Sequence, residues 1–357
     1  MGDTAPGRTD AGSADKAARS DRAAGLAGQD RRQGALWTLV ENRFGHWRAG
    51  WRLAVYGVLT TILGLALAWP LGLVLPNGDG GLTSWSTVVA MGAPLLGLLL
   101  AGLATLRWID RRPASMLGLG LEPGWRRELG LGLVAGVGLA SLEAALLGLT
   151  GVVGYRVSGD PGGGLAALPR VALLFVLAGA VEELLFRGYP LQVLAEGTRR
   201  WLAALLLCAL FAVGHLANPD QTPLATANIF LLGLLLAVLY FQTRRLWLPV
   251  ALHASWNFAQ SWVWGFDVSG ITIEETLLVA VPRGARWLSG GGFGLEGSAV
   301  TTAVVVGVLA WLLPCRPLQP AKRVAERWAA CPEGFGVPPR TWPGEPPPTG
   351  RDAGRRS

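Results

Sequence analysis

Residues 167–194 read ALPRVALLFVLAGAVEELLFRGYPLQVL. The run is largely apolar and exceeds the roughly 20 residues that cross about 30 Å of hydrocarbon. Near its end stand Glu182, Glu183 and Arg187. Ionisable groups inside such a span cost about 2.5–3.5 kcal/mol each on insertion scales, and they face a cavity or a partner. The stretch therefore sets two expectations: a membrane helix, and a polar interior for that helix to face.

The composition extends the first expectation to the whole chain. Of 357 residues, 51% are hydrophobic and only 15% are charged, where soluble domains carry about 25% charged residues. That excludes a disordered protein, a collagen and a disulfide scaffold, and argues against an ordinary soluble globule. Seven further apolar stretches lie at about 52–75, 86–106, 129–153, 201–217, 226–243, 246–264 and 297–314. The expected fold is an all-α polytopic membrane bundle of eight transmembrane helices. Trp85, Trp108, Trp201, Trp247 and Trp311 fall at span edges, where amphipathic rings favour the headgroup level.

Arginines divide the loops. The second loop holds Arg107, Arg111, Arg112, Arg126 and Arg127, the fourth Arg199 and Arg200, and the sixth Arg244 and Arg245. The first and fifth loops have none, and the third has Arg156 before Arg170 at its edge. The longer seventh, with Arg283 and Arg286, fits this alternation least well. The pattern predicts a multi-pass protein of the cell membrane with both termini cytoplasmic. Residues 1–50 lack apolar periodicity and a signal-peptide core, and read as a basic, mostly disordered cytoplasmic tail. Residues 51–315 form the predicted transmembrane domain, and 316–357 a Pro-rich cytoplasmic tail. The net charge of +7 sits beside apolar spans, so lipid headgroups, and not nucleic acid, are the expected partner. Cys208, Cys315 and Cys331 form no CxxC pair. Cys208 reads as a core residue, and no structural disulfide is expected.

The second expectation is sharpened by spacing. Of three histidines, His46 lies outside the spans, while His215 and His253 lie inside them. Glu183 and Arg187 are i,i+4 and can pair along one helix face, leaving Glu182 about 100° away and free. His253 and Asn257 share the same spacing, and His215 follows Phe211 by four residues. Counted along helices from the neighbouring arginines, Glu182, His215 and His253 lie about 25, 22 and 12 Å deep. They can meet near mid-membrane, towards the cytoplasmic side. A carboxylate beside an imidazole can hold and deprotonate water. An imidazole N–H and an Asn amide one turn apart can donate to a developing oxyanion. Two His and one Glu (Glu182, His215, His253) can also ligate zinc, although HExxH is absent.

At these residues the chain resembles the CPBP (Abi) family of intramembrane proteases, which includes type II CAAX prenyl endopeptidases and bacteriocin-processing or immunity proteins. The family pattern is EExxxR, FxxxH and HxxxN. It appears here as Glu182-Glu183-Leu184-Leu185-Phe186-Arg187, Phe211-Ala212-Val213-Gly214-His215 and His253-Ala254-Ser255-Trp256-Asn257. Arg187-Gly188-Tyr189, and Arg111-Arg112-Pro113 leading to Leu117-Gly118-Leu119, also look familiar. The resemblance covers about 110–260. It implies catalytic roles for Glu182 (general base), His215 (holding the water), and His253 and Asn257 (oxyanion donors). Glu183 and Arg187 would order the site, with Phe211 packed beside it. The family is described as metallo-endopeptidase, so zinc stays open beside a glutamate-only mechanism, which we favour.

Blander readings apply elsewhere. Glu143 reads as structural, Arg111 and Arg112 as positive-inside anchors, and Asn218 and Asn228 as caps or loop residues. The expected function is an intramembrane endopeptidase acting on a peptide or membrane-protein substrate. The alternatives are a non-proteolytic immunity or scaffold protein of the same fold, and a proton-coupled transporter.

Overall fold

The computed structural model describes residue 40, residues 47–75 and residues 81–329. Most of the basic N-terminal stretch, His46, Cys331 and the Pro-rich stretch past 329 lie outside the described residues. Helices follow every apolar stretch. They are α1 (Ala49–Val74), α2 (Trp85–Ala104), α3 (Trp125–Leu149), α4 (Pro161–Phe186), α5 (Tyr189–Gly197), α6 (Arg200–Gly214), α7 (Pro223–Thr243), α8 (Trp247–Phe258), α9 (Ala299–Cys315) and α10 (Lys322–Ala329). Five helical stretches are long and apolar enough to cross a membrane: α1, α2 with its π-helical extension to Ile109, α3, α4 continued by α5, and α7. Helices α6 and α9 are apolar but shorter. Helix α8 has 12 residues before a π-helical turn at Ala259–Val263.

Helix starts are written locally. Ser84, Asp160, Thr222 and Ser298 each accept a hydrogen bond from the backbone N–H three residues on, at 3.2, 2.9, 3.1 and 3.1 Å. Such caps satisfy N–H groups that have no intrahelical partner. Pro161 and Pro223 occupy first-turn positions, where the missing N–H costs nothing.

The bundle is not purely α. Strands β1 (Val153–Val157) and β2 (Leu278–Pro282) pair antiparallel, with Val153 opposite Pro282 and Val157 opposite Leu278. Two five-residue strands more than 100 residues apart leave no periodic signal of their own. They form because each gains its partner only after the bundle brings the third and seventh loops together.

Side chains sort the loops into two ends. At one end Arg112 pairs with Glu196 at 2.6 Å, Arg52 pairs with Asp110 at 2.8 Å and also with Glu196, and Arg245 donates to the Glu122 carbonyl at 2.9 Å and to Glu128. At the other end Thr83 donates to Glu275 at 2.6 Å, Asn218 donates to the Ser269 carbonyl at 2.9 Å, and Arg286 pairs with Asp220. Successive main helices thus alternate in direction between an Arg-rich and an Arg-poor end. Arg112 and Arg245 are ion-paired inside the protein and so do more than anchor headgroups. Helix α7 is the buried centre, while α1 turns Leu65, Trp69 and Leu73 outward.

Close backbone approach places α8 between α3 and α4. A Cβ on Gly136 of α3 would lie 2.1 Å from Ser255 Oγ and 2.4 Å from the Leu252 carbonyl oxygen. One on Gly132 would lie 2.6 Å from Ala251 Cβ. On the other side, Gly179 of α4 approaches Ala254 closely. Small residues four apart are the usual means of bringing apolar helices into backbone contact where burial from water supplies no drive. This wedge carries His253 and Asn257 into the bundle.

Candidate functional site

A cavity of about 360 Å³ lies inside the bundle. Its wall includes Glu182 of α4, Phe211 of α6, His215 in the turn after α6, and His253 and Asn257 of α8. The polar residues singled out from three separate apolar stretches therefore share one space. Leu174, Phe175, Leu232 and Leu252 supply much of its apolar surface.

Glu183 and Arg187 sit behind the wall and are fully buried. Arg187 Nη1 donates to Glu183 Oε1 at 2.8 Å, and Nη2 donates to the Gly233 carbonyl at 3.0 Å. The guanidinium also lies 4.7 Å from the Phe211 ring centroid, a cation–π distance. Glu183 Oε1 is 2.9 Å from His253 Nδ1. A carboxylate at Nδ1 orients the ring and presents Nε2 to the cavity. There Nε2 lies 3.6 Å from Glu182 Oε2. That exceeds a hydrogen bond, and one water can contact both atoms at this separation. The Glu182 side chain is about one-third exposed, as a group reaching into a cavity would be.

His215 is held from its own helix end. Its Nδ1 is 2.7 Å from the Phe211 carbonyl oxygen, and its ring meets the Phe211 ring edge-on at 4.7 Å. Phe211 in turn packs edge-on against Phe186 at 5.2 Å. Asn257 Oδ1 is buried and has no hydrogen-bond partner among the described residues. An unsatisfied amide oxygen on a cavity wall can accept a hydrogen bond from an occupant.

Sequence reasoning missed part of the wall. Glu296 and Ser269 also line the cavity. Glu296 is 4% exposed, and its Oε2 accepts from Ser269 N–H at 2.8 Å and from Ser269 Oγ at 2.5 Å. Burial pushes its carboxyl above the ordinary carboxylate range, against the opposing pull of the Ser269 bonds and of the imidazoles of His215 and His253. The sequence did hold a signal: Glu296 is a lone acid in a Gly-rich run immediately before an apolar stretch. Asn228, expected near a helix end, is instead fully buried in α7. It donates to the Glu296 and Ser298 carbonyls at 2.9 and 2.8 Å, which pins this loop. Glu143 lies 2.6 Å from the Thr301 hydroxyl, away from the cavity wall.

Depth is a second difference. Every loop residue on the wall (Leu82, Asn218, Val268, Ser269, Ile271, Ile273, Glu296) comes from the Arg-poor end. Counting along helices from arginines placed the site towards the Arg-rich side. It could not register that the long seventh loop folds back into the bundle.

Glu182, His215 and His253, the candidate zinc set, line the same cavity. Among the described residues no group of three His, Cys, Asp or Glu is arranged to hold a metal ion. Nδ1 of both imidazoles is bonded away from the cavity, in His253 to Glu183 and in His215 to a backbone carbonyl, which leaves each Nε2 as the nitrogen able to meet an occupant.

Fold and cavity together define a class: a helical membrane-type bundle enclosing a carboxylate–imidazole pocket. Comparison with known proteins makes that narrower. Residues 164–259 match the family model of Rce1-like type II CAAX prenyl endopeptidases, and this segment is a domain of that family (CPBP/Abi). It contains Glu182, Glu183, Arg187, Phe211, His215, His253 and Asn257, whereas Ser269 and Glu296 lie beyond it. An Escherichia coli protein named "Uncharacterized 24.3 kDa protein" is 38% identical over 93 residues, covering 24% of this chain and 42% of that protein. A Bacillus subtilis (strain 168) protein named "Putative membrane peptidase YdiL" is 30% identical over 94 residues, 26% of this chain and 36% of that one. The chain thus spans less than half the length of either relative. No solved structure matches it.

Proposed function

We propose that this protein is an intramembrane endopeptidase whose attacking water is activated by Glu182. The single observation that carries this reading is that Glu182, His215, His253 and Asn257 line one cavity. Glu182 takes a proton from the water, which His215 helps to hold. As the carbonyl carbon becomes tetrahedral, His253, protonated on both nitrogens with its Nδ1–H held by Glu183, donates its Nε2–H to the oxyanion beside the Asn257 amide N–H. The proton on Glu182 then passes to the leaving amine. The Glu183–Arg187 pair fixes the His253 ring, and Phe211 packs beside both imidazoles. All of these groups belong to the chain, and no step passes through a metal.

In this reading all eight main helices cross the membrane, with both termini cytoplasmic. The shorter α6, α8 and α9 are flanked by loops that close the bundle at the Arg-poor end. The substrate is a peptide segment or a membrane protein entering a mostly apolar cavity. The test is to incubate detergent-purified protein with a membrane-tethered peptide library and read the products by mass spectrometry. New termini at internal amide bonds support the reading. An unaltered library, with protein shown to be folded, rejects it.

A further inference from the structure

The buried carboxylates outside the cavity are matched by cations or capped by a hydroxyl. Glu183 has Arg187, Glu128 has Arg245, Glu196 has Arg52 and Arg112, Asp110 has Arg52, and Glu143 meets Thr301. Glu296 differs. It is 96% buried by its 4% exposure, it lines the cavity, and its hydrogen bonds come from Ser269. Among the described residues no Lys, Arg or His nitrogen lies within ion-pair distance of it. The cavity wall as a whole holds two carboxylates, Glu182 and Glu296, and no Lys or Arg. A buried carboxylate without a cation is costly, and here the open side of that carboxylate faces the space an occupant would fill.

We propose that Glu296 is the subsite for a cationic group of the substrate, either a Lys or Arg side chain near the cleaved bond or an N-terminal ammonium. The inference rests on the endopeptidase reading for its activity test, but binding tests it separately. Ser269 supplies two donors to one oxygen and leaves the other for the incoming N–H, so the carboxylate is oriented before the cation arrives. The loop is rigid for the purpose: Asn228 holds the Glu296 carbonyl, and Asn218 holds that of Ser269. A neutral residue at this subsite would leave the carboxylate buried without a counter-charge, and an acidic one would repel it.

The experiment uses matched membrane-tethered peptides carrying Lys, Arg, norleucine, Gln or Glu at successive positions, each with a free or acetylated N-terminus. Wild-type kcat/KM should be at least about tenfold higher for the cationic members at one position, with the Glu member poorest. If only the free amine matters, the ammonium is the source. Glu296→Gln should bring the ratio of cationic to neutral peptide close to one, and Glu296→Asp should partly restore it. Equal wild-type rates for the whole series, or a preference that Glu296→Gln leaves unchanged, overturns the proposal. If no peptide is cleaved, the endopeptidase reading fails. Tighter binding of the Lys peptide than of its norleucine analogue to wild type, lost in Glu296→Gln, would still uphold the subsite, and equal binding would remove it.

Discussion

At the scale of single residues, charge compensation decides which side chains work and which support. Glu183 and Arg187 neutralise each other in a site from which water is excluded, so neither is free to act on a substrate. Breaking such a pair strands a buried charge at a cost of about 3–5 kcal/mol. Arg187→Met should therefore lower the unfolding free energy by about that much, measurable by denaturant titration in detergent. The i,i+4 spacing made this pair legible in the sequence, as it did the shared face of His253 and Asn257. Glu296 left only a weak signal, a lone acid in a Gly-rich run, because a loop acid has no period and its burial depends on Ser269 and Asn228, both distant in sequence. Its raised carboxyl value has a definite sign. The protonated form stabilises the fold fully below the ordinary carboxyl value, and that contribution is lost as pH rises through the raised one. The groups facing it are His215 beyond α6, His253 on α8 and Glu143 on α3. Glu296→Gln should thus melt higher relative to wild type at pH 8 than at pH 5, in a thermal-shift series. A gap independent of pH would contradict the assigned burial effect.

At the scale of elements, glycines set where the site forms. Gly132 and Gly136 let α3 touch α8, and Gly179 lets α4 do the same. Gly136→Leu would drive a side chain into Ser255 and the Leu252 carbonyl, and overpacking of this kind costs about 1–3 kcal/mol. The expected result is a lower melting temperature together with displaced His253, read as a loss of peptide turnover. A variant at Gly138, where a Cβ meets open space, should melt close to wild type. Helix positions were readable from apolar runs because each is continuous in sequence. The β1–β2 pair and the π-helical turn at Ala259–Val263 were not, since both depend on contacts made only in the assembled bundle. Spacing told which residues share a helix face, but not that backbone contact at Gly136 aims that face inward.

At the scale of the molecule, the loops gather into an Arg-rich and an Arg-poor end, and the cavity draws its loop residues from the latter. With Cys315 and Cys331 replaced by Ser, an Ile271→Cys variant should react with a membrane-impermeant maleimide from the side opposite α10. Labelling from the same side as α10 would contradict the alternating arrangement. Depth counted along helices misjudged this because it treated loops as lying outside the bundle, whereas residues 268–273 and 296 fold into it. The central claim is that polar groups from separate helices meet to hydrolyse an amide, with Glu182 activating the water. The most direct measurement is single-turnover cleavage of one tethered peptide by folded wild type and by Glu182→Gln. A general base contributes about 10²–10⁴-fold, so the variant should fall by that factor with peptide binding retained. Cleavage at the wild-type rate would contradict the claim.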